Sequence, residues 1–182
     1  MTTNSSDVLL PHRLSTYNQV IKRSLDIVVA ALGLFMTGWL ILLAYIVASI
    51  DTGKSGFFRQ IRIGQQGKPF KVIKIRTMRD VLLFETTVTQ ANDPRITRLG
   101  VHLRKWSLDE LPQFINVLKG DMSLVGPRPP TLDELEEYES WHKYRLEVKP
   151  GITCIWQVYA RHEKSFENWV RLDIKYKRER SF

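Results

Sequence analysis

Polar and charged positions are frequent over the first two dozen residues, and then they stop. Residues 27–50, IVVAALGLFMTGWLILLAYIVASI, run for 24 positions without a charge. As a helix that stretch measures about 36 Å, against a bilayer core of about 30 Å. It is too long for the apolar part of a signal peptide, and no convincing cleavage site follows it. A buried soluble helix would need covering on all sides, and little remaining chain could supply that cover. The pattern predicts a membrane-inserted helix over residues 20–50, behind a polar tail over 1–19 expected to be poorly ordered.

Beyond the apolar run the period changes from helical to alternating. FFRQIRI (57–63) and FKVIKIR (70–76) read as strands, with Gly64 and Gly67 bracketing a short turn and Pro69 at the first strand position. A small β-hairpin is predicted. Residues 80–95 have weak periodicity and predict a loop, with a turn at Asp93-Pro94. Thr131 and Glu134 stand at capping-box spacing ahead of a helix over 132–146, whose acids come early and bases late. Trp141 and Tyr144 in it are expected to pack. Residues 163–178 set Phe166, Trp169, Val170, Leu172 and Ile174 among charges, as an amphipathic helix covering the core or lying at a membrane interface does. The predicted class is α+β: a re-entrant membrane helix, a small basic hairpin, and a mainly helical domain over 51–182 with amphipathic interfacial helices.

Charge decides how the apolar helix would sit. Arg13, Lys22 and Arg23 precede it, and Lys54, Arg59 and Arg62 follow it. Cytoplasmic flanks carry Lys and Arg, so both ends ask for the same side. A helix that enters, bends and returns satisfies both; a plain span is the rival on the flanks alone. Thr37 and Gly38 lie where a bend would fall. Glycine tolerates a break, and a threonine hydroxyl can bond a freed carbonyl.

The whole chain has 27 Lys plus Arg against 19 Asp plus Glu, a net charge of +8. That surplus points to an anionic partner: acidic lipid, nucleic acid or a phosphorylated substrate. Eight of the basic residues and one acid fall between Asp51 and Arg79. Lys74 and Arg76 are the candidates there for a bound phosphate; the plainer role is a cationic face beside anionic lipid, worth about 1 kcal/mol per charge. Cys154 has no partner for a disulfide and reads as a small buried hydrophobe. His12, His102, His142 and His162 are scattered, without metal-ligand spacing.

SLDELP (107–112) sets two carboxylates side by side in this basic chain. Ser107 and Glu110 have capping-box spacing, and Asp109 would favour a helix N-terminus. Three features count against capping alone. Pro112 would fall within the first turn and a half; a helix opening near Pro112 instead, with Asp109 and Glu110 just ahead of it, is the alternative. Arg104 and Lys105 lie immediately upstream. VGPRPP (125–130) supplies a rigid cationic turn around Arg128. Two such carboxylates can share one ligand and still act differently. One can hold Mg²⁺ while the other attacks phosphorus, and arginines can clamp the phosphate oxygens.

KRSLDIVVA (22–30), FFRQIRIGQQGKPFKVIKIRTM (57–78), DPRITRLGVHLRKWSLDELPQFINVLKGDMSLVGPRP (93–129) and PGITCIWQV (150–158) together resemble the bacterial sugar transferase family, the monotopic polyprenyl-phosphate phosphoglycosyl transferases. The resemblance implies transfer of a sugar phosphate from a UDP-sugar to polyprenyl (undecaprenyl) phosphate, releasing UMP. It implies Asp109 as the nucleophile that forms an aspartyl phosphosugar and Glu110 as the Mg²⁺ ligand. Arg104 falls on the family's phosphate-binding arginine, and Pro127, Arg128 and Pro129 on its Pro-Arg-Pro turn. Gln157 and Arg161 would contact the nucleotide, although Tyr159-Ala160-Arg161 replaces the family's Asn-Gly-Arg. Thr37-Gly38 stands where the family breaks its re-entrant helix at Ser-Pro, and the family continues beyond a Ser-aromatic pair like Ser181-Phe182. The chain resembles the minimal form of the family.

The resemblance implies a bacterial inner membrane location with the catalytic domain on the cytoplasmic face. Partners implied are the UDP-sugar, polyprenyl phosphate and membrane phospholipid, with no nucleic acid; association with further copies of the chain stays open. It places the reaction at the first membrane step of exopolysaccharide, O-antigen or related glycoconjugate synthesis. Two rivals stand beside this: a membrane-anchored, non-enzymatic module that binds anionic lipid or nucleic acid, and a transferase fold without activity. The first rival leaves SLDELP beside VGPRPP unexplained, because carboxylates repel polyanions.

Overall fold

A computed structural model describes residues 15–79, 93–159 and 165–179. Most of the polar tail, the greater part of the 80–95 loop, and Arg161 lie outside them. The described residues form helices α1 (Thr16–Thr52), α2 (Arg98–Lys105), α3 (Gln113–Lys119), α4 (Leu132–Glu136), α5 (Ile155–Tyr159) and α6 (Phe166–Glu179). Strands β1 (Phe57–Ile63) and β2 (Pro69–Ile75) pair antiparallel, with Phe57 opposite Ile75 and Ile63 opposite Pro69. Strands β3 (Ser123–Val125) and β4 (Gly151–Thr153) pair parallel.

α1 is long and apolar enough to cross a membrane, and only 17% of its most apolar window is buried. The core helix of a soluble protein would be mostly buried. The buried positions of α1, Asp26, Ala30, Ile41, Ala44 and Ala48, make one stripe at helical spacing. Ala30 packs with Val72, Val117 and Met122; Ile41, Ala44 and Ala48 pack with Ile75 and Leu103. The helix therefore lies against the rest of the fold along this stripe, from Asp26 to Ala48. Phe35, Met36, Trp39 and Ile50 face outward, each more than two thirds exposed.

The helix runs through Thr37-Gly38 without interruption, so the break expected there is absent. Thr37 Oγ1 donates to the carbonyl of Gly33, one turn back, at 2.6 Å. Such a bond back to the i−4 carbonyl often bends a helix without ending it. No proline is present to remove a backbone donor.

Polar bonds pin the first turns of α1 to the fold. Asp26 is buried and accepts from Lys22 Nζ, from Ser123 Oγ at 2.8 Å and from the Leu124 N–H at 3.1 Å. Arg23 donates to the carbonyls of Val117 and Leu118 at 2.6 and 2.9 Å, capping the C-terminal end of α3.

The capping box on α4 forms in full, Thr131 Oγ1 accepting from Glu134 N–H and the Glu134 carboxylate from Thr131 N–H. The helix predicted over 132–146 does not continue. It stops at Glu136 and resumes as a 3-10 helix over His142–Glu147. The Glu139 N–H donates to His142 Nδ1 at 3.0 Å, and Tyr138, His142 and Phe166 pack edge against face, so side chains replace the helical bonds. α6 covers the core: Val170 is fully buried, and Trp169 stacks on Trp156 of α5 with centroids 4.5 Å apart.

Candidate active site

The chain between α2 and α3 carries the carboxylate pair. Ser107 adopts φ +55°, and its side chain caps nothing, which corrects the capping-box reading. A non-glycine residue in that region costs about 1–3 kcal/mol. The turn it makes leads into a 3-10 segment over Leu108–Glu110, with Pro112 directly before α3. At three residues per turn, adjacent side chains diverge by about 120°. Asp109 turns inward, 8% exposed, and Glu110 remains partly open.

Burial, and next the charge of Glu110, push the Asp109 carboxyl above the usual carboxylate range; Lys74 and Arg104 pull it back. Glu110 Oε1 accepts from Lys74 Nζ at 2.7 Å. Lys74 reaches it because α3 closes the edge of β2. Asn116 Oδ1 accepts from the Ile73 N–H at 3.0 Å, and its Nδ2 donates to the Lys71 carbonyl at 2.8 Å. Arg104, in the last turn of α2, donates from Nε to Thr77 Oγ1 at 2.8 Å. Gly100 permits this approach, since a Cβ there would lie 2.2 Å from the Thr77 carbonyl oxygen.

Beside the pair is a cleft of about 330 Å³, part of it open to solvent, lined by Arg62, Lys74, Glu110, Gln113, Arg128 and Gln157 among others. Three cations and one carboxylate make it a site for an anion. Its far wall is the Pro127–Pro129 turn. The carbonyl of Pro127 accepts from the Gly151 N–H at 2.9 Å, and the Gly126 N–H donates to the Thr153 carbonyl at 3.0 Å. The strands meet closely there: a Cβ on Gly151 would stand 2.1 Å from the Gly126 nitrogen. Arg62 braces the other side, donating from Nη1 to the Pro129 carbonyl at 3.2 Å, while Gln60 Oε1 accepts from its Nε and Nη2. Burial first, then the neighbouring Arg128, lowers the Arg62 pKa. Glu134, half exposed and 3.8 Å away, offsets that crowding only in part.

Lys74, Glu110, Arg128 and Gln157 thus share one cleft, with Asp109 and Arg104 beside it. Arg76 is placed elsewhere: beyond the end of β2, its Nε donates to the Ser55 carbonyl at 2.9 Å and its guanidinium lies over Phe58. Pro127 and Pro129 flank Arg128 in the segment after β3, with Pro129 lining the cleft. Arg62 and Gln113 line the cleft and Asn116 ties α3 to β2, and no motif in the sequence marks any of the three as a site residue. An asparagine inside a short helix is a usable signal, because its side chain competes with helical bonds unless it is employed elsewhere. Cys154 is no rival nucleophile: burial pushes its thiol up to about 12.

The family model for bacterial sugar transferases matches residues 17–182. The galactosyl transferase CpsE of Streptococcus agalactiae is 45% identical over 171 residues, which is 86% of this chain and 38% of that protein. The UDP-glucose:undecaprenyl-phosphate glucose-1-phosphate transferase of Escherichia coli is 43% identical over 176 residues, 91% of this chain and 38% of that one. The exopolysaccharide production protein ExoY of Rhizobium meliloti is 40% identical over 171 residues, 85% of this chain and 76% of its own length. The chain therefore spans about two fifths of the first two relatives and three quarters of the third. With the match running over nearly all of α1, the carboxylate turn and the cleft, the chain belongs to the bacterial sugar transferase family.

Proposed function

We propose that the protein transfers a sugar 1-phosphate from a UDP-sugar to polyprenyl phosphate. The observation that carries this is the buried, under-donated Asp109, set beside Lys74-bound Glu110 at the edge of a cationic cleft. The Asp109 carboxylate attacks the phosphorus that bears the sugar. The diphosphate P–O bond breaks and UMP leaves. An oxygen of polyprenyl phosphate then attacks the same phosphorus, the bond to Asp109 breaks, and the carboxylate is restored. Carboxylate attack divides one transfer between two anions into two steps. Arg104, Arg128 and Lys74 hold phosphate oxygens, and Gln157 and Arg161 serve the nucleotide.

The residues fit a Mg²⁺ ion. Among the described residues no group of three His, Cys, Asp or Glu converges. Mg²⁺ needs only one or two carboxylates when substrate phosphates complete its shell. Glu110 would hold it, with Asp109 alongside, and the mutual repulsion that raises Asp109 would be relieved. Bound there, it supplies positive charge against the charge gathering on the diphosphate.

The outer face of α1 enters the inner membrane, and both ends stay on the cytoplasmic side with the cleft. Cysteine labelling at residues 5 and 55 checks this: opposite-side labelling would establish a span. For the chemistry, full-length enzyme given UDP-sugar without acceptor lipid should carry a phosphosugar mass on the peptide containing Asp109. An unmodified peptide from an enzyme that turns over would sink the nucleophile assignment.

A further inference from the structure

Three cations from separate parts of the chain converge away from the cleft. Lys22 and Arg23 stand one turn before the apolar run, and Lys149 comes from the segment leading into β4. Arg23 and Lys149 meet at Gly120, just past α3, where a Cβ would lie 3.4 Å from Arg23 Nη2 and 3.7 Å from Lys149 Nζ. Lys22 is spent on Asp26 and Ser123, and Arg23 on two carbonyls. Asp121, the other acid nearby, accepts from Asn116. Among the described residues Lys149 Nζ has no hydrogen-bond partner, although its side chain is half-buried.

A half-buried ammonium whose neighbouring acids are committed gains from an added anion. Its depth identifies the source. Outward-facing Leu25, Val28 and Val29 begin within one turn of Arg23, so the cluster stands where acyl chains give way to headgroups. We propose that Lys149, with Arg23 beside it, binds the phosphate of an anionic phospholipid headgroup, a lipid site separate from the transfer cleft. Burial and the charge of Arg23 lower the Lys149 pKa, and a bound phosphate would reverse that.

The test uses full-length protein in neutral detergent, with melting temperature followed as phosphatidylglycerol, phosphatidylcholine or inorganic phosphate is added. Phosphatidylglycerol should raise the melting temperature and the other two should not. Lys149→Gln should shift the half-maximal phosphatidylglycerol concentration upward about fivefold while leaving UMP release in neutral detergent unchanged. Lys119→Gln, an exposed lysine on the same helix end, serves as the control and should shift it little. An equal response to inorganic phosphate would overturn the lipid assignment. Equal responses in wild type and Lys149→Gln would overturn the site. Because neither readout requires transfer chemistry, failure here and failure of the proposed reaction are distinguishable.

Discussion

Asp26 and Asp109 are both buried aspartates beside a lysine, and they are built in opposite ways. Asp26 is saturated: Lys22, Ser123 Oγ and the Leu124 N–H all donate to it. Among the described residues Asp109 has no such set of donors, and the lysine near it is bound to Glu110 instead. A saturated carboxylate fastens α1 to β3. An unsaturated one, pushed above its ordinary pKa and placed by a cationic cleft, has lone pairs left for chemistry. Burial alone does not separate the two; the donor count does.

The largest effect should come from Asp109→Asn, with turnover falling by at least about 10⁴-fold while the melting temperature holds or rises. The sign follows from the raised pKa. Ionised Asp109 is costly to the fold at neutral pH, its favourable contribution being present below the unfolded pKa and lost as pH rises. In the proposed reaction the ionised form is also the nucleophile, so the rate should climb with pH through that raised value. Asp26→Ala should do the reverse. It should cost about 3–5 kcal/mol by chemical denaturation, because Lys22 is left without its carboxylate, with little change in rate per folded molecule. If Asp26→Ala cost activity but not stability, the comparison would fail.

Arg62 sharpens the contrast from the cationic side. Arg62→Ala removes both a cleft cation and the donor to the Pro129 carbonyl, so kcat/KM should fall about a hundredfold. Arg62→Lys should recover the charge but not the brace. Near-wild-type kinetics for Arg62→Ala would show that the turn holds itself.

A third aspartate takes an intermediate position. Asp173 lies 2.5 Å from Arg145, yet burial outweighs that attraction and lifts its pKa from 3.8 to about 6. Its stabilising contribution is complete below about pH 3.8 and is lost as pH rises through about 6. Melting temperature should therefore decline between pH 5 and 7, and Asp173→Asn should flatten that decline. An unchanged slope would assign the titration to another group.

The sequence made the chemistry easier to read than the geometry. SLDELP and VGPRPP are local strings, and the chain keeps them beside one cleft. β1 and β2 fall on the two alternating runs, because period-two patterning reports a half-buried ribbon directly. What escaped depends on distant pairings. Asn116 is employed by the edge of β2, 43 residues away from Ile73, and no local pattern announces that. Tyr138 to Trp141 reads as helix by composition, but the Glu139 N–H goes to His142 Nδ1 and Tyr138 packs on Phe166 instead. Arg76 matches Lys74 in type and spacing, but it lies past the last paired residue of β2.

Thr37-Gly38 shows a related limit: tolerance of a break is not a cause of one. Gly38 is helical and a Cβ there would meet nothing within 4 Å. Gly38→Ala should then stabilise the protein by about 0.5–1 kcal/mol, since alanine loses less backbone freedom on entering a helix. Unfolding in detergent with rate measured in parallel provides the check, and activity should be retained. A helix that must break at this point to function would behave otherwise: Gly38→Ala would straighten it, lower the rate and leave stability unimproved. That outcome would restore the hinge and show that the uninterrupted helix is not the form that works in the membrane.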